Sequence, residues 1–187
     1  MTKPSMLCSE NNPAEEPLPT TPAQLFALLE MLGIEYSLHH HEPVFTVEES
    51  SALDIEIPGV HCRNLFLRDK KKAMFLVVAA NETAIDLKKL QPLLNCGRLS
   101  FSSAERLWTH LGIRPGSVCP FTALNDPDHQ VQIILDAHMM AAPLVNYHPL
   151  DNAMTIGLAP ADLIRFFAHT GHEPLTLDLT QAAPEPT

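Results

Sequence analysis

Three short polar clusters carry the groups in this chain best suited to act on a carbonyl or a phosphate: Arg63-Asn64, Gly116-Ser117-Val118-Cys119-Pro120 and Asn146-Tyr147-His148-Pro149-Leu150. Arg63 and Asn64 set a permanent cation beside an amide that both donates and accepts, where an apolar strand leaves a Pro58-Gly59 turn and requires neither. In the second cluster Gly116 tolerates a left-handed turn and Pro120 has a fixed φ, so the intervening N–H groups can converge on one oxygen. Taken alone, that loop is better accounted for as an ordinary turn after a helix. His148 offers an imidazole able to accept or donate a proton near neutral pH, or simply ends a strand. Arg68, Lys70, Lys71 and Lys72 make the one concentrated run of positive charge. Such a run most often solvates a hairpin turn and guards its edge against pairing.

Other chemistries have less support. Ser117 lies in Gly-Ser-Val-Cys-Pro, which is not the Gly-x-Ser-x-Gly elbow of a serine hydrolase. The apolar flanks of Cys62 and Cys119 favour the thiol over the reactive thiolate, and none of the four cysteines forms a CxxC pair. His39, His40 and His41 adjoin on a strand, where successive side chains face opposite ways, so no metal site is expected there. Neither GxGxxG nor a GxxxxGK phosphate cradle is present, and no cofactor is expected.

Composition narrows the partners. A formal charge of -10, from 12 Lys+Arg against 22 Asp+Glu, opposes indiscriminate nucleic-acid binding, so any such partner must use a local basic patch. The 187 residues suffice for one sizeable core, and no apolar run is long enough to span a bilayer. With no secretory signal, a soluble cytoplasmic protein with free thiols is expected.

The elements that must position these clusters follow from periodicity and caps. Residues 1–20, rich in Pro and Glu, read as a disordered leader, residues 21–174 as a single domain and residues 175–187 as a flexible tail. Thr21, Pro22 and Gln24 open a helix that carries Leu25, Leu28, Leu29 and Leu32 and stops at Gly33. Alternation over 34–38 predicts a strand, and Thr46 with Glu49 predicts a short helix through Ala52. The stretch 61–78 reads as a β-hairpin turning at 69–72. Asp86 caps a helix over 87–90 that Pro92 stops, and Ser102 with Glu105 forms a capping box for a helix carrying Leu107, Trp108 and Leu111. Residues 121–124, 131–135, 144–147 and 154–158 are strand candidates, and Pro160 opens a last helix that ends at Gly171. Turns this short cannot hold parallel crossovers, so an α/β fold is expected with a mixed, mainly antiparallel sheet and flanking helices.

In register, the blocks Asn64-Leu65-Phe66-Leu67-Arg68-Asp69-Lys70-Lys71, Leu99 to Leu107, Leu111 to Pro120, Asn125-Asp126, His148-Pro149-Leu150-Asp151-Asn152 and Asp162 to Phe167 resemble the YbaK/prolyl-tRNA synthetase-associated editing domain family, in its free-standing ProX branch. The resemblance implies a metal-independent aminoacyl-tRNA deacylase that hydrolyses the ester of misacylated tRNA(Pro), typically alanyl-tRNA(Pro), with prolyl-tRNA synthetase as a further partner. It implies catalytic roles for Arg63, Asn64 and His148, ester binding by Gly116, Ser117, Val118, Cys119 and Pro120, and tRNA contacts from Arg68, Lys70, Lys71 and Lys72. A small pocket would exclude the prolyl group by size, which is easier than gripping one methyl worth about 1 kcal/mol. The alternatives are a catalytically weak or inactive tRNA- or synthetase-binding module of the same fold, or a deacylase for another small aminoacyl group. The family usually carries Lys where this chain has Arg63, which keeps the charge but cannot give up a proton.

Overall fold

The computed structural model describes residues 16–43 and 57–185, so the helix expected between Thr46 and Ala52 lies outside the described residues. The first helix, α1 (Pro22–Met31), forms as its caps dictate: the Thr21 hydroxyl accepts from Gln24 N–H, and the Gln24 side chain accepts from Thr21 N–H at 2.8 Å. Its end holds the following strand back. Gly33 N–H donates to Glu30 O and Ile34 N–H to Leu29 O, a left-handed helix stop that keeps Ile34 on α1. Strand β1 therefore spans Ser37–His40 instead of 34–38.

The hairpin is β2 (Val60–Arg68) and β3 (Met74–Ala80). All of β3 is buried, as expected of a strand covered on both faces. Then come α2 (Leu87–Leu93), β4 (Ser100–Phe101), α3 (Ala104–Leu111), a 3-10 helix (Pro120–Asn125), β5 (Val131–Asp136), α4 (Ala137–Met140), β6 (Val145–Tyr147), β7 (Met154–Leu158), α5 (Pro160–Thr170), β8 (Leu175–Leu177) and a second 3-10 helix (Leu179–Ala182). The eight strands run β1-β7-β6-β2-β3-β5-β8, with β4 added beside β2. Four pairings are antiparallel (β1·β7, β2·β3, β2·β4, β6·β7) and three parallel (β2·β6, β3·β5, β5·β8), the mixed α/β sheet expected.

Each face of the sheet has its own core. One face packs Phe66, Leu76, Val78 and Ile133 against α1, α3 and α5 through Leu25, Leu107 and Phe166. The other packs Leu67, Phe75, Val77 and Ile134 against Leu90 of α2 and Leu179 and Ala182 of the last turn.

Five local expectations change. Helix α2 continues through Pro92, which forfeits only the bond its missing N–H would make, while Leu94 N–H to Leu90 O at 3.1 Å carries the turn past it. Ser103, not Ser102, caps α3, because Ser102 N–H is committed to Phe66 O beside β4. Residues 121–124 are 3-10 helix, with Pro120 setting the first φ and the Thr122 hydroxyl bonded to Cys119 O at 2.7 Å. Residues 175–182, expected to trail off, add β8 and a buried turn that accepts Asp86 N–H at Ala182 O. At the other end residues 16–20 of the expected leader pack on α3: Trp108 Nε1 donates to Glu16 at 3.1 Å and the Thr20 hydroxyl to Asn125 at 2.7 Å.

Candidate functional site

Strand β2 has one full edge and one broken edge. It pairs with β3 from Cys62 to Arg68, whereas on its other side β6 reaches only Val60 and His61 and β4 only Leu67 and Arg68. In this register odd-numbered residues of β2 turn their backbone groups toward β3, as Asn81 N–H to His61 O shows, so those of Asn64 face the gap between β4 and β6. The side-chain Oδ1 of Asn64 is buried and has no donor among the described residues.

Alternation then separates two residues adjacent in sequence. Asn64 shares the face of Cys62 and Phe66, whereas Arg63 shares that of Leu65 and Leu67. The Arg63 guanidinium donates to the carbonyls of Asn81 and Thr83, just beyond β3. The two residues are not brought onto one face.

The loop from Gly116 to Pro120 is brought to Asn64's face. Val118 and Cys119 pack in the same core as Cys62, Tyr147 and Leu150. Gly116 has φ +93°, a conformation glycine takes freely, and a methyl there would lie 3.6 Å from Asn152 Nδ2. Ser117 N–H donates to Arg114 O at 3.2 Å, while the N–H groups of Val118 and Cys119 meet no acceptor among the described residues. Burial pushes the Cys119 thiol up to about 12, against the pull of N–H groups of Leu150, Phe121 and Thr122, so this cysteine is a packing group and not a nucleophile.

His148 enters through the next loop. Its Nδ1–H donates to Met154 O at 2.9 Å, which leaves Nε2 as the lone-pair nitrogen of the neutral ring. Burial, above all, lowers its pKa; nearby His41 and His61 add to this, and the Met154 carbonyl and Asp151 oppose it. The His41 ring lies 6.0 Å from that of His148 and is itself held between Glu42 O and the Thr155 hydroxyl. Sequence reasoning missed His41, His61 and Asn152 as neighbours of the site. The Asp151-Asn152 pair in the His148 block was a local signal for Asn152, whereas nothing in the sequence joins His41 or His61 to His148. Among the described residues no three His, Cys, Asp or Glu side chains are grouped to hold a metal.

The basic run sits at the far end of the same strand. Lys70, Lys71 and Lys72 are exposed, about 13 Å or more from Asn64 at the usual strand rise. Asp69 ties their turn by accepting from Lys71 N–H (2.7 Å), Ala73 N–H (3.0 Å) and Gly97 N–H (3.1 Å).

This arrangement has relatives. The model of the aminoacyl-tRNA editing domain family matches residues 41–166. The prolyl-tRNA editing protein ProX of Acetoanaerobium sticklandii is 39% identical over 149 residues, 79% of this chain and 91% of that protein. Prolyl-tRNA synthetase associated domain-containing protein 1 of Danio rerio is 34% identical over 156 residues, 82% of this chain and 85% of its own. In fold, the chain is similar to the crystal structure of a candidate trans-editing enzyme for prolyl tRNA synthetase, with TM-score 0.63, 19% identity and coverage of 86% of this chain and 97% of that one. Sheet, loop and relatives agree, and the chain belongs to the aminoacyl-tRNA editing domain family.

Proposed function

We propose that this protein is a cytoplasmic trans-editing hydrolase that removes a small amino acid, alanine foremost, from misacylated tRNA(Pro), working beside prolyl-tRNA synthetase and without a metal. The observation that carries the proposal is the buried Asn64 amide oxygen, without a donor among the described residues, on the face where the Val118–Cys119 loop packs, the N–H groups of that loop likewise meeting no acceptor among those residues. Ester hydrolysis needs donors where negative charge grows on the carbonyl oxygen, an acceptor for the α-ammonium group and an oriented water. The two loop N–H groups serve as the donors and Asn64 Oδ1 as the acceptor. Water adds to the ester carbon, the bond to the ribose oxygen breaks, and that oxygen leaves as a hydroxyl carrying a proton from the water. His148 Nε2 orients that water together with the terminal ribose hydroxyl. Pro120 and the packed Val118 wall restrict the space for the side chain, so a prolyl ring is excluded by size.

Incubation with Ala-, Ser-, Cys- and Pro-tRNA(Pro) is the direct test. Alanyl ester is expected to be released and prolyl ester retained; an enzyme at micromolar concentration that deacylates none of the four overturns the proposal. One observation favours a second reading, a binding module without catalysis: Arg63, in place of the family's lysine, is engaged on the opposite face of the sheet. Tight tRNA binding with the ester left intact distinguishes that case.

A further inference from the structure

Phe101 is 64% exposed, the one aromatic among the large apolar side chains that the described residues leave in solvent. Isolated exposed apolar residues are common, so exposure alone means little. Its setting is less common. Strand β4 is two residues long, yet pairing of Phe101 with Leu67, pairing of Ser100 with Arg68 and the Ser102 N–H to Phe66 O bond fix it rigidly to β2. Leu99 is buried on one side and the Ser103 cap of α3 follows on the other, so the ring is held out by anchored backbone at both ends.

Cations cluster along the segments that hold β4. Gly97 N–H bonds to Asp69, which draws the Arg98 segment to the hairpin tip beside Lys70, Lys71 and Lys72. Arg68 lies across the ladder from Ser100 and so leaves the sheet on the face opposite Phe101, while Arg106 stands on the first turn of α3, next to the exposed Glu105, its Nη1 donating to Ser103 Oγ at 3.2 Å. These six are half of the 12 Lys+Arg in a chain of net charge -10. Among the described residues none of the six is in an ion pair. The acid nearest their turn, Asp69, is already consumed by three backbone N–H groups. A flat exposed ring near cations that no ion pair among the described residues neutralises matches what single-stranded nucleic acid requires: a π-face for a base and positive charge for the flanking phosphates. Three strand residues, about 10 Å, separate Leu67, and with it Phe101, from Asn64. The two side chains leave opposite faces of the sheet, so an RNA strand that meets both must pass the open edge of β2 between β4 and β6.

The geometry points to Phe101, with the Arg98 segment, Arg106 and the Lys70–Lys72 turn close by in the chain and the ladder, as a stacking platform for an unpaired nucleobase in the 3′ strand of the tRNA. It rests on the proposed function for the identity of the RNA and extends it by assigning base contact to a residue outside the ester site. The probe is uncharged tRNA(Pro) transcript, intact or lacking its unpaired 3′ nucleotides, with binding read by fluorescence anisotropy across a salt series. Phe101→Ala is expected to weaken binding of the intact transcript about tenfold, Phe101→Trp to restore it, and neither to change binding of the shortened one. Arg98→Ala is expected to lower the salt slope by roughly one. The melting temperatures report folding, which an exposed side chain leaves unchanged. Equal affinity of wild type and Phe101→Ala for the intact transcript overturns the platform, and so does indifference to both Phe101 and Arg98, the result expected if an acidic protein occupies the patch. Because the RNA is uncharged, a protein that binds through Phe101 but hydrolyses nothing upholds the platform and sinks the proposed function, and the converse result separates them the other way.

Discussion

At the scale of single residues, the side chains assigned to the proposed chemistry differ in what holds them. His148 is fixed as a neutral ring by the Met154 carbonyl, and its pKa lies below the usual 6.5. Deacylation is therefore expected to persist on the acid side until the pH falls below 6.5, and a pH–rate profile of wild type against His148→Gln will show that limb flatten in the variant. The same shift has a stability consequence. Between the folded and unfolded pKa values only the unfolded chain binds the proton, so stability falls as pH drops below about 6.5. Thermal melts of both proteins at pH 7.5 and 5.5 should show a smaller loss for His148→Gln. Arg63 makes a different prediction. Lysine cannot reach both the Asn81 and Thr83 carbonyls, so Arg63→Lys should lose about 1 kcal/mol by denaturant unfolding, without faster deacylation. A gain in rate would return the side chain to the ester site.

At the scale of elements, the hairpin turn and the loop after α2 are held by few bonds of high leverage. Asp69 fastens the turn and the Gly97 segment together, and although desolvation raises its pKa, the Gly97, Ala73 and Lys71 N–H groups bring it below the usual carboxylate value. That contribution is present above pH 4 and lost as pH falls through the lowered folded value. Asp69→Ala should lower the melting temperature at pH 7 and erase most of the difference near pH 3. Helix starts were readable because a cap needs only residues three apart, as Thr21 and Gln24 illustrate. The choice between Ser102 and Ser103 was not readable, because it depended on a bond from Ser102 to Phe66, which is remote in sequence. The same limit hid the 3-10 helix at Pro120, where the short run Phe121-Thr122-Ala123-Leu124 fits a buried strand or a buried turn equally well.

At the scale of the whole molecule, the two faces of the sheet carry separate cores, and the C-terminal segment completes one of them. Leu179 is fully buried against Phe75, Val77 and Leu90. Leu179→Ala is expected to cost about 2–4 kcal/mol in chemical denaturation, a loss that a trailing tail would not show. The acidic whole with a basic hairpin tip bears on the proposed meeting with RNA: repulsion over most of the surface would leave the tip as the favourable approach.

Sequence by itself determined the local units and the chemical inventory: the capped helices, the hairpin, the Gly116 to Pro120 loop, the Asn64 and His148 blocks, and the family they signal. These depend on residues near one another in the chain, where caps, turns and periodicity act. Tertiary structure alone decided that β2 meets β6 and β4 only at its ends, opening the gap that Asn64 faces. It also decided that Arg63 is turned away from that gap, that His41 and His61 gather at His148, and that residues 175–182 belong to the core. Each of these follows from pairing register between distant segments. Register fixes which face every side chain takes, and no local pattern specifies it.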